Sequence, residues 1–140
     1  MTPGKKIAGF ILVLSICSYV FSLMINTFCA GTHCYRGFES LFLGAFDFFN
    51  CTAALPWLAN PILFFAWMYY STNNKRSLLL SSISVIISLS FSFAKEININ
   101  EAGTFASIHD IGLGYWLWVA SPALLLGGNI IALFKRESHD

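Results

Sequence analysis

Charge is what this sequence has least of. Of its 140 residues only 11% are Asp, Glu, Lys or Arg, against about 25% in a soluble domain, so most of the surface is not built to meet water. Eight basic and seven acidic side chains nearly cancel, to a net charge of +1. That leaves no basic field for nucleic acid and no acidic tail. A Ser-His-Asp spacing, a Gly-Lys-Ser/Thr phosphate loop and a low-complexity tail are also missing, and Gly112-Leu113-Gly114 is too little to cradle a phosphate. No cofactor is implied.

What is abundant is apolar. The hydrophobic share is 56% and the mean hydropathy is +0.68; the 14 Phe residues suit lipid contact and helix packing. A membrane-crossing helix takes about 20 apolar residues at 1.5 Å each to cover roughly 30 Å of hydrocarbon. Four runs answer to that, at residues 7–28, 53–70, 77–93 and 112–134. The first follows Lys5 and Lys6 as a signal peptide would, but it exceeds the usual apolar length and no small-x-small cleavage site follows, which reads as an uncleaved span. Between the first two runs, Glu39, Ser40, Asp47, Asn50 and Cys51 gather on one side of a helix and Phe42, Phe46 and Phe49 on the other. A full crossing there would bury Asp47 mid-membrane at about 2.5–3.5 kcal/mol. The expectation is therefore an all-α membrane protein, one polytopic domain over residues 1–140. It is a four-transmembrane-helix bundle with an additional interfacial or re-entrant helix over 38–51, after the first outer loop. Residues 94–110 form the second outer loop, with a short extended piece at 95–101 capping the bundle.

Two stripes of small polar residues stand out. Ser15, Ser18, Ser22 and Asn26 fall on one helical face, as do Ser77, Ser81, Ser84, Ser88 and Ser92. Lipid rewards nothing polar, so both stripes should meet helices, and the simplest pairing sets them against each other. Lys5/Lys6, Lys75/Arg76 and Lys135/Arg136 share one side if there are four crossings, leaving Arg36 and Lys95 opposite. The positive-inside rule then puts both termini in the cytoplasm of a bacterial inner (plasma) membrane, multi-pass.

Few residues invite chemistry. Cys17 lies in the first helix and reads as a buried small residue. Cys29 and Cys34 flank the first outer loop and are candidates for a disulfide, with Cys51 as a competing partner. Quinone-linked four-span thiol oxidases use a Cys-x-x-Cys pair and a second outer pair; here the spacing is Cys-x4-Cys and no cysteine follows Cys51. His33, Cys34, His109 and Asp110 have no recognised metal spacing. Glu39 and Asp47, with Arg36, Lys95, Glu96 and Glu101, make a candidate polar or partner site, since acids near a membrane core are usually kept for a reason.

Trp57-Leu58-Ala59-Asn60-Pro61 and Gly112-x-Gly114-Tyr115-Trp116-Leu117-Trp118-x-x-Ser121 resemble stretches of small, uncharacterised bacterial four-span inner-membrane proteins. The resemblance covers the second and fourth runs and implies a topology, without an activity or functional residues. The leading expectation is a non-enzymatic protein that binds a protein partner in or at the bilayer, such as a toxin-immunity protein or the membrane subunit of a bacterial defence system. The alternatives are a homo-oligomeric ion channel or small transporter, with Glu39 and Asp47 lining the path, and a membrane thiol-redox or other membrane enzyme.

Overall fold

The computed structural model describes residues 3–47, 52–99 and 103–137. Helix α1 (Pro3–Met24) leads into a hairpin of β1 (Asn26–Ala30) and β2 (His33–Arg36), then α2 (Gly37–Asp47). A 3-10 stretch (Thr52–Leu58) precedes α3 (Ala59–Tyr70). Helix α4 (Asn74–Ser90) ends in a 3-10 turn, and a second hairpin of β3 (Glu96–Asn98) and β4 (Phe105–Ile111) delivers the chain to α5 (Leu113–Glu137).

The all-α expectation is corrected by the two hairpins, which join into one antiparallel sheet in the order β2-β1-β4-β3. Phe28 pairs with Tyr35 on one side and Ile111 on the other, so β1 ties the two connecting segments together. The first helix stops at Met24, short of Phe28. An apolar run does not by itself distinguish helix from strand; Thr27, Phe28 and Cys29 suit a half-buried strand, and their backbone groups gain two ladders instead of one helix. The segment at 94–110 carries two strands, more than the short extended piece expected at 95–101.

The four-span bundle is modified too. Among the described residues three helices are long and apolar enough to cross a membrane: Lys6–Met24, Asn74–Phe93 and Leu113–Phe134. The run at 53–70 is divided, because Pro56 sits in the 3-10 stretch and Pro61 in the first turn of α3. Within that first turn a missing N–H removes no helical hydrogen bond. The helix expected at 38–51 is α2, described to Asp47; residues 48–51 lie outside the described residues.

Hydroxyls decide which helices meet. Ser15 Oγ donates to the Ser121 carbonyl and Ser121 Oγ donates to the Ser15 carbonyl, each at 2.8 Å, clasping α1 to α5. Trp67 Nε1 of α3 donates to the same Ser15 hydroxyl at 2.9 Å, and Ser18 Oγ reaches the Leu117 carbonyl. On α4, Ser77 and Ser84 donate to Ala66 and Ala59 carbonyls of α3, while Asn129 of α5 donates to Ser77 Oγ at 3.0 Å. The two serine stripes therefore do not face each other. The α1 stripe packs on α5, and the α4 stripe on α3 and α5. Asn26 belongs to β1 and is exposed, and Ser92 is exposed in the 3-10 turn; Ser22, Ser81 and Ser88 are buried and donate within their own helix. Cys17, expected inside, faces outward.

Two apolar clusters fill the interior. Tyr19, Leu63, Ala66, Tyr70 and Leu125 lie among α1, α3 and α5. Phe28, Ala30, Phe91, Ile97, Tyr115 and Val119 seat the sheet on the helices. Ser121→Ala should lower stability by about 1–2 kcal/mol, the upper range for an interhelical hydrogen bond in an apolar setting. Denaturant unfolding of purified protein followed by circular dichroism measures it, with exposed Ser90→Ala expected to change nothing; equal effects at both sites would discard the clasp.

Candidate functional site

Where the sheet meets the helices, α2 lies across a cavity of ≈ 80 Å³. Two glycines set the distance. A Cβ on Gly37 would run into the Ser22 backbone, and one on Gly44 would come within 2.7 Å of the Trp57 ring. They lie about two helical turns apart, so α2 is drawn in at both ends of one face. Beneath the middle of that face, between Ser40/Leu41 and the helices, the cavity remains.

Asn60 organises its floor. The residue is 5% exposed. Its Oδ1 accepts from Trp118 Nε1 at 2.8 Å and from Tyr19 O–H at 3.1 Å, and its Nδ2 donates to the Trp57 carbonyl at 2.9 Å. One amide thus links α1, α3 and α5. Trp57 in turn donates from Nε1 to the Leu41 carbonyl of α2 at 2.8 Å, and Tyr115 donates to the Ser88 carbonyl at 3.1 Å. At the upper edge the Thr27 and Ser40 hydroxyls lie 2.6 Å apart, joining β1 to α2. Among the described residues the lining carries no charged side chain.

Of the sequence-predicted acids, Glu39 and Glu96 do not line this cavity. Glu39 stands in the first turn of α2, where its Oε2 accepts from the Arg36 backbone N–H at 2.8 Å, so the carboxylate closes the start of the helix. Its Oε2 lies 3.7 Å from His33 Nε2, a contact that is an ion pair only when the imidazole is protonated, and the expected Arg36 and Lys95 side chains are not its partners. Arg36, Lys95 and Glu96 are exposed. The Asp47 side chain and Glu101 lie outside the described residues. Cys29 and Cys34 are opposite each other on β1 and β2 and are joined by a disulfide, and Cys51 lies outside the described residues. Among the described residues no three His, Cys, Asp or Glu side chains come together as a metal site.

Reasoning from sequence passed over Asn60, Tyr19 and Trp118 as a set. The signal was a lone Asn in an apolar run, beside a Pro. Both stretches that carry the resemblance, at Trp57–Pro61 and Gly112–Ser121, contribute to this one site. Comparison with known proteins adds nothing to the assignment, since no family model, curated protein or solved structure matches the chain.

Asn60→Leu should cost about 2–4 kcal/mol, because two buried donors, the Tyr19 hydroxyl and the Trp118 indole, lose their acceptor. Asn74→Ala, which removes one half-buried bond to the Asn129 carbonyl, should cost less than about 1 kcal/mol. Parallel unfolding curves decide between a hub and an ordinary polar contact; similar losses would count against the hub.

Proposed function

We propose that this chain is a non-enzymatic, multi-pass inner-membrane protein that acts by binding another protein at the bilayer surface. In this reading α1, α4 and α5 cross the membrane, and the 3-10 stretch with α3 completes a fourth crossing. Both termini and the basic turn at Lys75 and Arg76 then share the cytoplasmic side, by the positive-inside rule. The sheet and its disulfide stand on the outer side, where thiols are kept oxidised.

The observation that carries the binding reading is the sheet itself. It is built from both connecting segments, cross-braced by Cys29–Cys34, and alternation along β4 leaves Phe105, Ser107 and His109 on one exposed face. A rigid platform with an aromatic and a few polar groups suits recognition of a protein surface. Immunity against a membrane-active toxin, or service as the membrane subunit of a defence pair, is the partner class consistent with a chain of this size. Glu39 supports this reading over the channel one, since its carboxylate is engaged by the Arg36 N–H and His33.

Two measurements test it. Cysteines placed singly at Lys75 and Ser107, in a Cys17→Ser, Cys51→Ser background, should differ in reaction with a membrane-impermeant maleimide on intact cells: Ser107→Cys reacts, Lys75→Cys only after lysis. Labelling of both from outside would end the topology. A photo-cross-linking residue at Phe105 should capture one protein species that the same residue at lipid-facing Ile86 does not; identical capture at both would end the binding reading.

A further inference from the structure

The cavity beneath α2 has a chemistry that the protein-binding reading does not use. Its walls are mostly aromatic and aliphatic, among them Trp57, Trp118, Phe91 and Leu41. Among the described residues no Asp, Glu, Lys, Arg or His lines it, so an occupant that leaves water there brings no charge with it. Yet it is not purely apolar. A primary amide offers two acceptor and two donor positions. Among the described residues, three of the four on Asn60 are taken, both lone-pair sites by Tyr19 and Trp118 and one N–H by the Trp57 carbonyl. One N–H remains, on a side chain more than nine-tenths buried in the cavity floor. The missing partner is an acceptor.

Size narrows the occupant further. The cavity holds ≈ 80 Å³, about half the roughly 150 Å³ that encloses a benzene ring in a dry engineered cavity. It therefore takes the end of a molecule, with the rest lying outside. Outside is apolar: Phe38, Phe42 and Phe46, four residues apart along α2, are all exposed on the face turned away from the cavity. A helix glycine-locked at two points, greasy on its outer side and roofing a neutral cavity, is placed to admit something that arrives from an apolar phase.

We infer that this cavity binds the carbonyl end of an uncharged amphiphile, its oxygen accepting from the free Asn60 N–H, its adjoining carbons against Trp57 and Trp118, and its chain extending past α2 into lipid. The ester carbonyl of a bilayer glycerolipid and a free lipid-soluble ketone share this chemistry. The site belongs to the fold. Only the ligand's route rests on the membrane reading, so a failed topology experiment and an empty site are separate results.

The test uses the full chain, purified in detergent and in lipid nanodiscs, with two photoreactive probes. One is dodecan-2-one carrying a chain diazirine; the other is phosphatidylcholine carrying a diazirine close to one ester. Adducts are located by peptide mass spectrometry. The expected result is labelling of peptides containing Trp57, Phe91 or Trp118, suppressed by excess unlabelled dodecan-2-one. Leu41→Trp, which fills the cavity from α2 without removing a side-chain hydrogen bond, should reduce that labelling about tenfold, while Leu41→Ala keeps it. Labelling by the ketone in detergent identifies a free small molecule as the source; labelling by the phospholipid alone identifies a bilayer lipid; either supports the site. If neither probe marks these peptides above the Leu41→Trp level, in protein whose circular dichroism is unchanged and whose Cys29–Cys34 bond is intact, the cavity holds solvent only and the inference is overturned.

Discussion

A hydroxyl that has no water to turn to must find a carbonyl, and the helices of this protein stand where those carbonyls are. Ser15 and Ser121 exchange hydrogen bonds across α1 and α5, and the indole of Trp67 adds α3 to the same point. Ser77 and Ser84 fasten α4 to α3, and Asn129 reaches from α5 to Ser77. Each contact is worth little, on the order of 1 kcal/mol. Together they discriminate, because rotating any one helix would leave several buried polar groups without partners at once. In a chain whose exterior is apolar, burial of grease cannot choose among helix rotations; the polar groups can.

The sheet extends the same logic to the end of the bundle. Phe28 of β1 packs on Phe91 and stacks on Tyr35, and Tyr115 bridges from α5 to the Ser88 carbonyl at the close of α4. Asn60 then gathers α1, α3 and α5 immediately below, while Trp57 carries the network outward to α2. The glycine contacts draw α2 in at both ends of one face, and the cavity remains under the middle of that face, above the polar floor. Neither the sheet nor α2 is an appendage; each supplies one wall.

The sequence was legible where periodicity speaks and mute where pairing decides. The serine spacing marks a face on α1 and on α4, since hydroxyls at steps of three and four share one side of a helix. It says nothing of which neighbour that face meets, and the obvious match of stripe to stripe is not the one made. The strand β1 was hidden because Asn26-Thr27-Phe28-Cys29-Ala30 continues an apolar run, and one of its two partners, β4, lies far along the chain. Glu39 drew attention as an acid beside a membrane segment, whereas its position three residues after Arg36 serves the start of α2. That role is hard to see when the residue at the helix boundary is Arg instead of Ser or Thr. Asn60 was visible only as part of a short motif, since a single amide gives no hint of the two donors that converge on it from elsewhere.

The order in which the strands are made has a consequence for synthesis. Strand β1 is complete early, yet one of its two edges is filled only by β4, just ahead of the final helix. Until β4 has been made, β2 is the one strand of this sheet with which β1 can pair. An open edge of this kind invites foreign strands. The arrival of the last hairpin is thus what fills the inner edge of β1 and leaves β2 and β3 as the outer strands of the sheet.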